Sequence, residues 1–169
     1  EPADISDNGR YITFYDYNIS AFNIMLYDRQ LDTMSNITNG SADSYTPHIS
    51  DDGRYIVFPS DAPNLVSGDV NGYTDVFLYD LNTTSIENLT LSGDWYSAPR
   101  SISADWRYIM IDSEATNLVT GDVDWYNDIL KYDRQNNSFT NITRNENNAY
   151  SPTISSNWRY IAYNIDNQL

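Results

Sequence analysis

The chain has 169 residues, 40% of them apolar, and a formal net charge of −15, which suits one domain or a piece of one with enough apolar matter for a core. The charge argues against DNA or RNA as a partner, since those need a basic patch, and against anionic membrane surfaces; it fits solubility and cation binding. With no Cys there is no disulfide framework, thiolate metal site or Cys nucleophile, and no apolar run is long enough to span a membrane.

Taken in order, the chain begins at Glu1-Pro2 rather than Met, which reads as a processed product or a fragment. Pro2-Ala3-Asp4-Ile5-Ser6 predicts a short first strand, a. Asn8-Gly9 is a hairpin signal, and Arg10-Tyr11-Ile12-Thr13-Phe14 follows as strand b. Asn23-Ile24-Met25-Leu26-Tyr27-Asp28 reads as strand c, and strand d ends in Asn36-Ile37-Thr38. The same four signals then return. Pro47-His48-Ile49-Ser50, the Asp52-Gly53 turn, Arg54-Tyr55-Ile56-Val57-Phe58, Asp75–Asp80 and Asn88-Leu89-Thr90 form the second set. Pro99–Ser103, Arg107-Tyr108-Ile109-Met110-Ile111, Asp128–Asp133 and Asn141-Ile142-Thr143 form the third. Pro152-Thr153-Ile154-Ser155 and Arg159-Tyr160-Ile161-Ala162-Tyr163 begin a fourth. Trp106 and Trp158 stand where the first two a–b turns have Gly, which predicts a changed turn type or a left-handed Asp105 and Asn157.

The repeated Arg residues, 10, 54, 107 and 159, are spaced by 44, 53 and 52 positions. Tyr outnumbers Gly, β-branched and aromatic residues dominate the apolar set, and no capped amphipathic helix stands out. Four antiparallel strands per unit at this period predict an all-β chain of β-propeller blades. The alternative is a two-sheet sandwich, which does not require a fixed repeat. The repeats span 2–46, 47–98 and 99–151, with a partial one at 152–169.

The motifs Pro-x-Ile-Ser-x-Asp-Gly-Arg-Tyr-Ile-x-Phe, Asn-Leu-Val-x-Gly-Asp-x-Asn-Gly-x-x-Asp-Val-Phe-x-Tyr-Asp and Leu-Thr resemble the TolB-like (PD40, WD40-like) propeller repeats of bacteria. The resemblance covers nearly the whole chain and is weakest in 1–46. It implies a periplasmic, secreted or cell-surface location. The family usually closes six or seven blades, whereas the chain holds three and a half. A half-built blade leaves an open strand edge. The count therefore predicts either a piece of a longer propeller or self-association through the terminal strands, around Ile5 and Ile161.

Two constellations carry candidate chemistry. The b–c loops place Asp69, Asn71 and Asp75, and again Asp122, Asp124 and Asp128, at an i, i+2, i+6 spacing beside glycines. Hard oxygen ligands on a bending loop suit Ca²⁺, although the third EF-hand ligand and the distant Glu are missing. The competing reading is that Asp, Asn and Gly simply make turns. The first repeat has a shortened loop with Asn23 in place of Asp75, and no metal is expected there. The d–a and b–c loops should emerge on one face, which gathers Tyr45, Tyr73, Trp95, Tyr96, Trp125, Tyr126 and Tyr150. Tyr45, Tyr96 and Tyr150, being repeated, are expected to pack between blades. Tyr73, Trp95, Tyr96, Trp125 and Tyr126 are the candidate ligand contacts, for stacking on a sugar or anchoring a protein. Trp106 and Trp158, on the opposite face, are expected at inter-blade or inter-chain contacts.

Signals for catalysis are poor. His48 is the only His, and its equivalents read as Arg100 and Thr153. No nucleophile elbow, His-Glu-x-x-His or phosphate-binding glycine loop occurs. The residues point to a non-catalytic module that binds a protein or a carbohydrate. The alternative is part of a propeller glycoside hydrolase or lyase, which needs a carboxylate pair that nothing singles out.

Overall fold

The computed structural model describes residues 3–18, 20–123, 125–144 and 148–166. Strand b of the second repeat is buried at every position and strand c at its first four. A strand buried at both parities belongs to a sheet covered on both faces, and the architecture follows from that. β1 (Ala3–Ile5), β2 (Tyr11–Asn18), β3 (Ala21–Asp28) and β4 (Thr33–Asn36) form one antiparallel meander. β5 (His48–Ile49), β6 (Tyr55–Ser60), β7 (Asp75–Asp80) and β8 (Ser85–Asn88) form the second. β9 (Ser97–Ile102), β10 (Tyr108–Ser113), β11 (Asp128–Asp133) and β12 (Ser138–Asn141) form the third, and β13 (Ala149–Ile154) pairs with β14 (Ile161–Ile165). The a strands β1, β5, β9 and β13 touch in succession and form the inner rim of the stacked sheets.

The core lies between sheets. Ile24 and Leu26 of the first sheet meet Ile49, Ile56, Phe58 and Phe77 of the second. Tyr55, Val57, Val76 and Leu78 meet Ile109, Ile111, Leu130 and Tyr132 of the third. Met110 and Ile129 meet Ala149, with Ile154, Ile161 and Tyr163 packed alongside.

Each repeat is laced at both ends. At the a–b end, the Ser50 hydroxyl donates to Asp52 and accepts the Tyr55 N–H, while Asp52 also accepts the Arg54 N–H. The Arg54 guanidinium then bonds Asp80 at the end of strand c, at 2.8 Å, and lies 4.6 Å from the Tyr55 ring centre. Arg10–Asp28 and Arg107–Asp133 repeat the pair.

The b-strand Tyr of each sheet is roofed by the turn of the next. The Trp106 ring lies 4.3 Å from Tyr55 and the Trp158 ring 5.5 Å from Tyr108. At the first joint the roof is Gly53, where an added Cβ would come within 2.6 Å of Tyr11. Both Trp residues thus make contacts between blades. The left-handed backbone falls on Trp106 (φ 47°) and Trp158 (φ 50°) themselves, not on Asp105 and Asn157. The cost of φ > 0 is offset by the ring contact that this turn geometry allows.

Two sequence equivalences shift. β9 and β13 start ahead of their Pro and carry a register break, so Ser101 and Thr153, rather than Arg100 and Thr153, match His48. By the same pairing Tyr45 and Tyr150 are equivalent, while Tyr96 lies two residues earlier, at the place of Asp43: the Tyr96 carbonyl accepts the Glu114 N–H as the Asp43 carbonyl accepts the Asp61 N–H. Tyr45 packs edge-on against Tyr15 across the first joint, as expected of an inter-blade residue.

Candidate functional site

The Asp of each b–c loop opens strand c, and its position follows from a hydrogen-bond lock onto strand d. Asp75 is fully buried. Its Oδ1 accepts the Thr90 hydroxyl at 2.7 Å, and its Oδ2 accepts the amides of Asn88 at 2.9 Å and Asn71 at 3.0 Å. Thr90 Oγ1 in turn accepts the Val76 N–H. Asp128 repeats the arrangement with Thr143 and Asn141. In the first repeat, Asn23 Oδ1 accepts from Thr38 in the same way.

The amide orientations are fixed from behind. Asn88 Oδ1 accepts the Thr90 N–H and Asn71 Oδ1 accepts the Tyr73 N–H, so both NH₂ groups face the carboxylate. Their hydrogens fill the space that a cation on Asp75 Oδ2 would need, so this donor set as arranged does not suit Ca²⁺. Asp69 is buried 3.5 Å from the Asn88 amide; burial first, and then the Asp75 charge, push its carboxyl above the usual range. Asp122 holds the matching place, 3.3 Å from Asn141. Asp124 lies outside the described residues. No group of three or more His, Cys, Asp or Glu side chains placed to hold a metal is found among the described residues.

The lock does more than end a strand. Asn71 also donates to the Gly93 carbonyl, tying the b–c loop to the d–a loop. Its Asx turn sets Tyr73. Across the second joint, Asp94 accepts the N–H and hydroxyl of Thr116, and Asn117 donates to Ser92, which bolts the Trp95 loop to the third sheet. Gly68 (φ 88°) and Gly121 (φ 85°) make the bends that bring the loops over the sheets.

These ties assemble an aromatic ladder from two blades. The Tyr73 and Trp95 rings lie 4.5 Å apart at 38°, and Trp95 meets Trp125 edge-on at 6.1 Å and 77°. Trp95 is 39% exposed and Trp125 66% exposed, with Val70, Val123 and Tyr126 also exposed on the same loops. Tyr96 is the exception among the candidate contacts. It lines a separate hollow of about 270 Å³ with Tyr15, Tyr45, Pro59, Thr74 and Arg100.

Arg100, which lines that hollow, belongs to a pair the sequence did not single out. Arg100 Nε bonds Asp112 at 2.6 Å; Asp112 is 1% exposed, and burial raises its carboxyl pKa against the opposing pull of Arg100. Asp112 stands where the other repeats have Tyr15 and Pro59, so no repeat signal marked it. An acid at a position whose repeat equivalents are not charged was the available clue.

No family model matches the chain, and no curated protein matches it in sequence. Its fold is shared with solved propellers. TolB from Acinetobacter baumannii superimposes with a TM-score of 0.68 at 20% identity, over 96% of this chain and 37% of that one. The TolB structure from Agrobacterium tumefaciens gives 0.62 at 19%, over 96% and 59%. The β-propeller domain of the Trilobed protease from Pyrococcus furiosus, described as having an open velcro topology, gives 0.58 at 12%, over 83% and 41%. The chain has a TolB-like β-propeller fold. It spans less than two thirds of the length of each of these proteins. No helix among the described residues is long and apolar enough to cross a membrane.

Proposed function

We propose that the chain is a non-catalytic binding module that holds a protein partner through the Tyr73–Trp95–Trp125 ladder, in a periplasmic, secreted or cell-surface setting. The observation that carries the proposal is the ladder itself: large rings left open to solvent yet held from below by hydrogen-bonded loops. The ring angles favour a protein over a sugar. A sugar stacks flat on an aromatic face, whereas Trp125 standing edge-on to Trp95 makes a notch suited to a side chain. The loops that carry the rings also carry the half-buried Asp94 and Asp122, which suits a Lys or Arg in that notch.

Displaying the chain to an array of Lys- and Arg-bearing peptides and to a glycan array tests the reading. Peptide binding that is lost in Trp95→Ala and Trp125→Ala is the expected result. Glycan binding alone would move the assignment to carbohydrate. Binding that survives both substitutions would remove the ladder from the site.

A further inference from the structure

Tyr15 of β2, Tyr45 ahead of β5 and Tyr96 ahead of β9 wall the hollow of about 270 Å³, with Pro59 and Pro99 between them. All three rings are half-buried. The two ends of the hollow differ in chemistry. At one end the Tyr45 hydroxyl lies 3.2 Å from Asp43 and 3.1 Å from Asp61 and donates between them, and Thr74 donates to the other Asp61 oxygen. Burial, first, and the charges of Asp61 and Asp43 push the Tyr45 pKa well up, so the ring keeps its proton. With both protons committed to carboxylates, the Tyr45 and Thr74 oxygens have only lone pairs left to offer the hollow. Neither Asp43 nor Asp61 is paired with a cation among the described residues.

At the other end stands Arg100. In the three strand-end pairs the guanidinium grips its Asp with both Nε and Nη2. Arg100 meets Asp112 through Nε alone, and Asp112 Oδ1 is left buried with no hydrogen-bond partner among the described residues. Nη2 only leans toward the Tyr96 hydroxyl, at 3.4 Å. The Nη1–Nη2 edge, the fork that fits a carboxylate, is therefore unspent. It is carried by a side chain already fixed from behind by a buried acid, which lowers the entropy lost when a ligand binds.

We propose that this hollow binds a free α-amino acid with an apolar side chain, its carboxylate on Arg100 and its ammonium on the Tyr45 and Thr74 oxygens backed by Asp61. A ligand that must accept at one end and donate at the other carries both charges itself, which also suits a site where one guanidinium faces two carboxylates. The three tyrosine rings hold the apolar side chain and favour the ammonium over their faces. The volume lies just below the range of about 300–1,000 Å³ usual for drug-sized ligands, which restricts the occupant to a small molecule. The site is distinct from the Tyr73–Trp95–Trp125 ladder and does not rest on it.

Isothermal titration of the 1–169 chain with L-phenylalanine and L-leucine tests the proposal. Saturable binding of at least one is expected. L-Phenylalaninamide, which lacks the carboxylate, and 3-phenylpropanoate, which lacks the ammonium, should each bind at least tenfold more weakly than L-phenylalanine, as expected when a charge-assisted hydrogen bond is lost. Arg100→Lys keeps a cation on Asp112 but removes the fork, and should weaken amino-acid binding about tenfold. Asp61 is exposed, so Asp61→Asn leaves the fold intact; it should weaken L-phenylalanine about tenfold and leave 3-phenylpropanoate unchanged. No saturable binding of either amino acid would overturn the proposal. So would an analogue that binds as tightly as L-phenylalanine, or an Asp61→Asn chain that binds it like the original.

Discussion

Replacing Asp75 by Ala tests whether the acidic loops are locks or metal sites. The carboxylate is fully buried and accepts three side-chain hydrogen bonds. Its removal leaves the buried Thr90 hydroxyl without an acceptor and frees the Asn71 and Asn88 amides, which are only half-buried and can reach water. One buried donor left unmet plus two weakened hydrogen bonds costs about 3 kcal/mol. For a chain of this size that lowers Tm by about 10 °C. Asp75→Asn should cost less, because Asn23 performs the same task in the first repeat by accepting from Thr38. The assay is thermal unfolding by circular dichroism, with and without chelator. Chelator should leave the original Tm unchanged, because amide hydrogens already occupy the carboxylate. An Asp75→Ala protein that melts like the original would refute the lock. A Tm that falls in chelator and is insensitive to it after Asp75→Ala would show that Ca²⁺ takes the place of those amides.

Other outcomes follow from single contacts. Gly53→Ala should lower stability by about 1–2 kcal/mol, since φ is +75° there and the new Cβ would meet the Tyr11 ring at 2.6 Å; denaturant titration measures it, and an unchanged midpoint would contradict the close approach. Burial, first, and the Arg100 charge hold the His48 imidazole below its ordinary 6.5 against the opposing pull of Asp4. The unfolded chain therefore takes up that proton first as pH falls, so stability is full above pH 6.5 and declines below it. His48→Gln should flatten the fall of Tm just below pH 6.5, and an unchanged slope would place the cause elsewhere. Trp125→Ala should leave Tm within about 2 °C while abolishing peptide binding, because a ring two-thirds exposed contributes little to folding. A large loss of stability would make Trp125 a structural residue.

The repeat was legible because each unit carries its strands and turns as local signals. Ser-x-Asp-Gly-Arg-Tyr encodes a turn, a strand start and one half of an ion pair, and all three are read from adjacent residues. The missed features depend on registry across a joint. Tyr96 stands at the Asp43 place, two residues ahead of the Tyr45 place, and the two rings nonetheless line one hollow beside Arg100. The left-handed Trp106 depends on Tyr55, about fifty residues earlier, waiting to be covered. Asp112 is visible in the sequence as an acid five residues after the repeated Arg, where the other repeats have Tyr15, Pro59 and Asn164, but its pairing with Arg100 depends on how strands a and b are registered. The ladder was half legible: the face could be read from strand direction, but the contact of Trp95 with Trp125 depends on the Asp94–Thr116 tie between sheets.

The same locks explain a pattern that looks like a modification signal. Asn36-Ile37-Thr38, Asn88-Leu89-Thr90 and Asn141-Ile142-Thr143 are three of seven Asn-x-Ser/Thr sequons. In each, the Asn Oδ1 accepts the Thr N–H two residues on. In each, the Thr hydroxyl takes the N–H that follows the strand-c Asn or Asp and donates to that same side chain. The spacing of two is therefore set by the geometry of closing strand d onto strand c. At Asn88 and Asn141 the side-chain nitrogen is itself spent on the buried carboxylate. A glycan attached there would remove a donor from the lock and force a bulky group against a buried acid. Recurrence of the triplet at the end of every strand d is thus a folding requirement, and the acidic residue that opens strand c is its other half.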